Sequence, residues 1–350
     1  MILFGGNSTE HEVSLISAKN VIENIDRQLF DVIPVGITND GSWYLMPQTG
    51  FLSDDRSVEN AGLKLKVGKP IGINLINKKF FTLDRPNDTF VPDVIFPVLH
   101  GANGEDGSVQ GLAQLLGIPV VGCGVLGSAI CMDKDVTKRL LTEAGIVNAE
   151  FVTLRKGESY DIDEIIIKLG LPLFVKAANG GSSVGVNKAK TKADLPNAIE
   201  DSFKYDNKII VEAAVAGREL EISVLGNLTP EASKVMGEIV PAAEEYYSYA
   251  AKYVNDSGVQ LVAPAEIPEK VLASAQDIAV KAFKCLECSG MARVDFFLQK
   301  DGVLLVNELN TIPGFTNISM YPKLFALSGV EYRDLITKLI NLADNISLGG

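Results

Sequence analysis

The clearest pattern of apolar and polar positions lies between Gly290 and Gly314. Two runs rich in Val, Phe and Leu flank Lys300-Asp301-Gly302. Asp-Gly between two such runs is a strong signal for a tight turn. The pattern therefore predicts a β-hairpin.

A two-residue turn at Asp301-Gly302 sets the pairing of the two strands. Counting back from this turn places Asp295 opposite Glu308. The same count places Arg293 opposite Asn310. Because side chains alternate between the two faces of a strand, these four side chains share one face. The opposite face carries the apolar residues Ala292, Val294, Phe296, Leu305 and Leu309.

The polar face of this hairpin has the composition of a metal site. Directly opposed side chains lie ~4.5–5.5 Å apart at Cβ, and two carboxylates at that distance repel each other. A cation relieves the repulsion, and hard oxygen ligands favour Mg²⁺ over zinc. We predict a metal site on this face, formed by the carboxylates of Asp295 and Glu308 with the Asn310 amide beside them. The alternative is a solvated strand face with incidental charges.

The first third of the chain alternates between strand-like and helix-like segments, which predicts a parallel sheet with helices. The run 93–99 is continuously apolar, as in a strand that is covered on both faces. Ligands bind beyond the carboxyl ends of such strands, and His100 begins the next loop. His100 is either a ligand contact or a structural hydrogen-bonding group.

The first residues predict a short strand, a Gly5-Gly6 turn and a helix that begins near Glu10. This arrangement brings a ligand to a helix N-terminus. Glu12 is the candidate contact. The alternative is a capping box in which Thr9 and Glu12 close the start of the helix.

A second glycine-rich loop, residues 179–186, follows a predicted strand that contains Lys176. Glycine backbone N–H groups, serine hydroxyls and a lysine together suit a polyphosphate. The loop is not a Walker A motif, because no Gly-Lys-Ser/Thr follows. The alternative is a plain turn between two strands.

Composition narrows the possible functions. The net charge of −12 disfavours a general binder of nucleic acid or anionic membranes. No apolar run approaches the ~20 residues that span a bilayer, and the first residues lack the pattern of a secretion signal. We therefore expect a cytoplasmic protein of two or three domains. The tyrosine-rich segment 241–263 is either a functional lid or a disordered stretch.

Taken together, these motifs resemble those of the D-alanine–D-alanine ligases, which belong to the ATP-grasp superfamily. The matching segments extend to about Phe325 and are Gly5–Ser14, His100–Gly107, Met132–Lys134, Gly181–Gly185, Ala251–Tyr253, Arg293–Asp295 and Asn307–Gly314. The resemblance implies an α/β fold with an N-terminal parallel-sheet domain of the biotin-carboxylase type. A two-part ATP-grasp fold with mixed and antiparallel sheets would follow it. The implied domains are residues 1–121, 122–215 and 216–350.

The resemblance also implies an activity. ATP would phosphorylate one D-alanine, and a second D-alanine would attack the acyl phosphate to give D-alanyl-D-alanine for peptidoglycan. Two Mg²⁺ or Mn²⁺ ions and a homodimer are implied as well, with no nucleic-acid or membrane partner. A D-alanine–D-lactate ligase, a D-alanine–D-serine ligase and a non-catalytic nucleotide-binding protein are the alternatives. Tyr253 favours D-alanine as the second substrate.

Finally, the resemblance implies a role for each matching residue. The residues beside the reacting groups are Glu12, Ser182, Tyr253, Arg293 and Gly314, of which Arg293 and the Gly314 N–H would form the oxyanion site. The other substrate contacts are His100, Ser319 and Met320. The ATP contacts are Lys134, Lys176, Ser183, Glu212, Ala214, Val215, Glu219 and Lys252. The metal ligands are the same Asp295, Glu308 and Asn310.

Overall fold

The structure is a computed structural model, and it describes residues 1–54, 63–66, 68–181, 185–241 and 259–346. Across these ranges the chain forms three main β-sheets with helices packed against them. Four of the predicted site residues lie outside the described residues: Ser182, Ser183, Lys252 and Tyr253.

The first sheet has a parallel centre and an antiparallel extension. Its central strand β1 (Ile2–Gly5) pairs in parallel with β2 (Pro34–Ile37) and with β9 (Phe96–Val98). The antiparallel strands extend from β2 and are β3 (Trp43–Leu45), β6 (Lys69–Asn74), β7 (Lys79–Thr82) and β8 (Arg85–Phe90). Two short strands, β4 (Leu52–Asp54) and β5 (Leu63–Leu65), pair with each other. The predicted parallel sheet is therefore only the centre of the observed one.

The two helices of the first unit begin where this sheet ends. Helix α1 (His11–Asn24) follows β1, and α2 (Ser108–Leu116) follows β9. Gly5 and Gly6 both have a φ near +90°, which turns the chain from β1 towards α1. The loops that precede the two helices therefore lie at the same edge of the sheet, because β1 and β9 are parallel neighbours.

The second sheet is antiparallel, and its two faces differ in composition. It consists of β10 (Phe151–Arg155), β11 (Leu173–Ala177), β12 (Asn187–Ala189) and β13 (Lys208–Ala213), in the order β10-β13-β11-β12. Helices α5 (Ile162–Leu169) and α6 (Leu195–Ser202) share an apolar core with its inner residues, such as Val175 and Val211. The alternate residues Phe151, Phe174, Lys176 and Glu212 lie on the opposite face.

The third sheet carries the predicted hairpin. Its strands are β14 (Arg218–Gly226), β15 (Glu231–Ala232), β16 (Gly237–Pro241), β17 (Val259–Val262), β18 (Gly290–Leu298) and β19 (Leu304–Asn310). Along its main path the order is β17-β16-β14-β18-β19, and all pairs are antiparallel. One face packs on α7 (Glu269–Cys285), where Phe283, Val294, Phe296 and Val306 are buried. The polar face is turned towards the site.

The remaining helices connect these units. Helices α3 (Val125–Met132) and α4 (Lys134–Glu143) follow the first sheet, and α8 (Met320–Leu327) and α9 (Tyr332–Ile346) follow β19. Leu335, Leu339 and Phe315 pack in one core with Phe4 and Leu15. The end of the chain therefore packs against its beginning.

Among the described residues, none of the helices combines the length and the apolar sequence needed to cross a membrane. The three sheets fall within residues 2–98, 151–213 and 218–310. The domain boundaries at 121 and 215 stay predictions.

Candidate active site

The hairpin of β18 and β19 has the pairing that the sequence predicts at its polar end. Asp295 lies opposite Glu308, and Arg293 lies opposite Asn310. The route to this register differs from the predicted one in two places that compensate for each other.

The predicted two-residue turn is wrong. Gln299 and Val303 face each other across three turn residues, and Gly302 has a φ of +87°. This is the turn followed by a left-handed residue that closes many three-residue hairpins. It displaces the register by one residue, and a β-bulge beside Asp295 restores it.

The bulge also changes the faces of β19. Asp295 pairs with Glu308 but Phe296 pairs with Val306, so Asn307 is the extra residue. Leu305 consequently pairs with Phe297 and shares the polar-side face with it, whereas the sequence placed Leu305 on the opposite face. Its place in the inner core is taken by Val306, which is fully buried.

A row of three carboxylates crosses the third sheet. Glu221 on β14 lies opposite Asp295, which in turn lies opposite Glu308. Arg293 contacts Asp295 through two bonds of 2.7 Å and reaches Glu221 at 3.2 Å. Asn310 donates to Asp295 at 3.0 Å. The guanidinium thus partly neutralises a row that would otherwise repel itself.

Glu221 is a site residue that sequence reasoning missed. The sequence places Glu219 and Glu221 on one face of β14, because they are two residues apart. The pairing of β14 with β18 is a long-range contact, and no local pattern predicts it. Glu219 itself lies opposite Phe297, next to the row.

The predicted metal ligands fit a magnesium ion by donor type, because they offer only carboxylate and amide oxygens. Within the described ranges, no three His, Cys, Asp or Glu side chains form a group that could hold a metal ion. Asp295 is instead engaged by Arg293 and Asn310. A metal ion would share Asp295 with these two partners, and its binding by this set stays a prediction.

Lys134 links the hairpin to the second glycine-rich loop. Its Nζ donates to Gly180 O at 2.6 Å and lies 3.7 Å from Glu308 Oε2. Asp133 caps α4 by accepting from Val136 N at 3.1 Å, and Lys208 holds the Asp133 carboxylate. These contacts fix Lys134 at the first position of a helix.

A buried ion cluster surrounds Glu212 on the second sheet. Lys176 and Lys138 each lie 2.5 Å from one of its carboxylate oxygens. Burial alone would raise the pKa of Glu212, but the two lysines outweigh it and lower the pKa to about 2. Phe151 and Phe174 flank Glu212 in register on the neighbouring strands. Sequence reasoning found Lys176 and Glu212 and missed Lys138.

The carboxylate row borders a pocket. Its lining residues come from the chain segments of all three sheets and from α4. Its polar side chains come from Glu10, His100, Glu105, Lys134, Arg293, Glu308 and Asn310, with Gly180, Gly181 and Gly314 beside them. Six sequence-predicted residues are thereby brought together: His100, Lys134, Arg293, Glu308, Asn310 and Gly314. Lys176 and Glu212 form the neighbouring cluster.

Glu10, and not the predicted Glu12, lines this pocket. Glu12 is exposed in the first turn of α1, whereas Glu10 is 8 % exposed at the cap position before it. The helix begins at His11 with Glu10 as its N-cap residue, so Thr9 does not occupy the cap position that the alternative capping box gives it, and Ser8 Oγ accepts from Glu10 N at 2.9 Å. Thr9-x-x-Glu12 resembles a cap in sequence, but the glycine turn displaces the helix start by one residue.

His100 carries a buried nitrogen without a partner in the described chain. Its Nδ1 lies 3.0 Å from Ile312 O, and Nε2 has no hydrogen bond. A carbonyl oxygen only accepts, so Nδ1 carries the hydrogen. Burial lowers the pKa of His100, which favours the neutral ring and leaves Nε2 as an acceptor.

Glu105 is a second acid that sequence reasoning left without a role. It accepts from Gly101 N at 2.6 Å. Burial, followed by the charge of Glu10, raises the pKa of Glu105 to about 8. It therefore carries a proton over much of the neutral range.

The other predicted substrate and nucleotide contacts are not among the residues that line this pocket. Ser319 Oγ accepts from Thr316 N at 2.9 Å, and a Cβ on Gly314 would lie 2.7 Å from it. Met320 is buried at the start of α8, against Gly237. Ala214 donates its N–H to Pro172 O at 3.2 Å, and Val215 is half-buried. Direct contact of these residues with a ligand stays a prediction.

Comparison with known proteins identifies close relatives over nearly the whole chain. Two family models match, "D-ala D-ala ligase N-terminus" at residues 1–123 and "D-ala D-ala ligase C-terminus" at residues 140–341. A D-alanine–D-alanine ligase A of Chromobacterium violaceum is 50 % identical over 98 % of this chain and 94 % of its own length.

Solved structures give the same result. The D-alanine–D-alanine ligase from Coxiella burnetii has a TM-score of 0.83 at 38 % identity, covering 99 % of this chain and 95 % of its own. The VanG D-Ala:D-Ser ligase from Enterococcus faecalis has a TM-score of 0.83 at 37 % identity and covers 98 % of each chain. The predicted fold class is confirmed.

Glu105→Gln tests the protonation of the pocket. A carboxyl whose pKa rises on folding stabilises the protein below its unfolded pKa, and this contribution is lost as pH rises through the folded pKa. For Glu105 this stabilising contribution is lost as the pH rises from about 4.5 to about 8. Glutamine does not titrate, so the variant should gain thermal stability relative to the parent at about pH 8.5 and not at about pH 4.

The measurement is thermal unfolding of both proteins across this pH range. Glu200→Gln, at an exposed position of α6, is the matched control and should leave the profile unchanged. A Glu105→Gln profile parallel to that of the parent would contradict the raised pKa.

Proposed function

The chain belongs to the D-alanine–D-alanine ligase family, and on this premise we propose that its pocket joins two D-alanine molecules at the expense of ATP. The product, D-alanyl-D-alanine, serves peptidoglycan synthesis. One observation carries the assignment of the site. Glu10, His100, Arg293, Glu308 and the Gly314 backbone, which come from distant parts of the chain, meet in one pocket.

The first D-alanine binds at the end of the pocket formed by Glu10 and His100. The Glu10 carboxylate binds the ammonium group of this D-alanine. Glu10 is buried, and a charge-assisted hydrogen bond with an ammonium group compensates a buried carboxylate. The neutral His100 ring offers an acceptor at Nε2, so it receives an N–H of the same ammonium while lying close to the substrate carboxylate. In this proposal Glu10 replaces Glu12 as the glutamate beside the reacting groups.

ATP binds along the face of the second sheet. Glu212 accepts from the adenine amino group, Glu219 binds the ribose, and the backbone of Ala214 and Val215 lies beside the base. Phe151 and Phe174, which flank Glu212 in register, supply an apolar surface for the base. Lys134 and Lys176 bind phosphates.

Transfer of the phosphoryl group demands charge stabilisation and positioning more than covalent chemistry. Two Mg²⁺ or Mn²⁺ ions held by Asp295, Glu308 and Asn310 would neutralise the phosphate charge. The carboxylate of the first D-alanine receives the γ-phosphoryl group, and ADP is formed. Arg293 and the Gly314 N–H hold the oxygen that becomes negatively charged when the second amine, after losing its proton, attacks the acyl phosphate. The bond from the carbonyl carbon to the phosphate oxygen then breaks, inorganic phosphate leaves and the peptide bond is formed.

The second D-alanine enters with its carboxylate at Ser319 and Met320. The pocket has to exclude water, because an acyl phosphate hydrolyses. We assign this task to the segments of Ser182, Ser183, Lys252 and Tyr253, which lie outside the described residues. The homodimer and the cytoplasmic location stay predictions.

The decisive assay follows ADP and dipeptide in parallel. With D-alanine and Mg-ATP, the protein should release one ADP for each D-alanyl-D-alanine detected by mass spectrometry. Replacing the second substrate by D-serine or D-lactate should give little mixed product, which separates this activity from the two alternative ligases. Folded protein that forms neither ADP nor dipeptide would overturn the proposal and favour a non-catalytic nucleotide-binding protein.

The pair Glu10→Gln and Glu12→Gln tests which glutamate binds the ammonium. Glu10→Gln should lower kcat/KM for the first D-alanine on the order of 100-fold, because a buried charge-assisted contact is lost. Glu12→Gln, two residues away and exposed, should stay within about twofold of the parent. Equal losses in the two variants, measured by steady-state kinetics at varied D-alanine, would contradict the assignment.

A further inference from the structure

Lys138 is a buried cation that the proposed reaction does not use. Its side chain is 3 % exposed, and its Nζ lies 2.5 Å from Glu212 Oε1. It also donates to Ala149 O at 3.1 Å and to Asn148 Oδ1 at 3.4 Å. Three acceptors thus hold the ammonium group in place on α4.

Lys176 contacts the same carboxylate from the other side and is held differently. Its Nζ lies 2.5 Å from Glu212 Oε2, and its side chain is 15 % exposed. Lys176 lies on β11, five residues before Gly181 of the pocket. Of the two lysines, Lys176 is the more exposed, and it lies on the strand that leads into the second glycine-rich loop.

The charges of this cluster do not balance. One buried carboxylate faces two ammonium groups, so a single lysine suffices to neutralise it. If Lys176 were its only partner, moving Lys176 to a phosphate would leave a buried carboxylate without a counter-charge. Such a state is strongly unfavourable, and Lys176 would stay where it is.

We propose that Lys138 is a positioning residue that serves as the permanent counter-charge of Glu212, so that Lys176 exchanges between Glu212 and the nucleotide phosphates. The inference rests on the proposed ATP site. It assigns different tasks to the two lysines. Lys138 keeps Glu212 charged and in place to bind the adenine base, and Lys176 binds the phosphates when a nucleotide is present.

The position of Lys138 agrees with this division. Burial lowers its pKa, and Glu212 opposes that effect, so the ammonium depends on the carboxylate as much as the carboxylate depends on it. The Phe151 ring lies 5.3 Å from Nζ and covers the pair. Lys138 therefore remains paired whether or not a nucleotide is present.

The test compares the binding of ADP with that of adenosine, which lacks phosphates. In Lys138→Met, Lys176 has to remain on Glu212, so the affinity for ADP should fall at least about tenfold. The affinity for adenosine should change by less than about threefold, because Glu212 still faces the base. Isothermal titration of wild type and variant with each ligand measures both.

Lys281→Met is the matched control. Lys281 is an exposed lysine of α7 whose Nζ donates to a backbone oxygen, Ala144 O, at 2.6 Å. Its replacement should leave both affinities unchanged. In steady-state assays, Lys138→Met should raise the KM for ATP and leave the KM for D-alanine near that of the parent.

A double variant protects the test against misfolding of Lys138→Met. Lys138→Met/Glu212→Gln removes both charges, so Lys176 no longer has a carboxylate to neutralise. The ratio of the ADP affinity to the adenosine affinity should return to within about threefold of that of wild type, even if both affinities are lower.

Two outcomes overturn the inference alone. One is an equal loss of ADP and adenosine affinity in Lys138→Met, which indicates a purely structural lysine. The other is an ADP affinity of Lys138→Met equal to that of the wild-type protein. Wild-type protein that binds neither ligand overturns the proposed ATP site as well, whereas wild-type protein that binds ADP but makes no dipeptide overturns only the proposed reaction.

Discussion

The repulsion among three carboxylates on neighbouring strands is the constraint around which this molecule is organised. Glu221, Asp295 and Glu308 stand opposite one another on β14, β18 and β19. Like charges in such a row destabilise a sheet, so the arrangement persists only with cations nearby and with a strong reason for the register. Arg293 supplies one cation, and its two contacts with Asp295 hold it in the plane of the row.

The reason for the register lies on the other face of the same sheet. Val294, Phe296 and Val306 are almost completely buried against α7. A slip of one residue would move this apolar set into the polar pocket and the carboxylates into the core. The hydrophobic effect on one face of the sheet thus offsets the electrostatic repulsion among the carboxylates on the other face. The pocket is completed by Glu10 and His100 from the first unit, which α9 and the core around Phe315 tie to the third.

The sequence allowed the polar end of the hairpin to be predicted, because the alternation of side chains and the turn signal both act over short distances. The pairing was right although the turn was wrong, since the bulge at Asn307 offset the extra turn residue. The strand, glycine turn and helix start predicted a ligand-binding glutamate but did not distinguish Glu12 from Glu10, and only the path of the chain through Gly5 and Gly6 shows which glutamate enters the pocket.

Glu221 and Lys138 escaped sequence reasoning for a related reason. Each acquires its meaning from a residue far away in the chain, Asp295 for one and Glu212 for the other. No local periodicity encodes such pairs.

The most direct measurement of the central claim is a titration of Mn²⁺ in the presence of ADP. It compares wild type with Glu308→Gln and with Asp301→Asn, which changes an exposed acid at the turn of the same hairpin. The carboxylate row predicts that Glu308→Gln weakens Mn²⁺ binding at least about tenfold while Asp301→Asn does not. Equal Mn²⁺ affinity in all three proteins would contradict it.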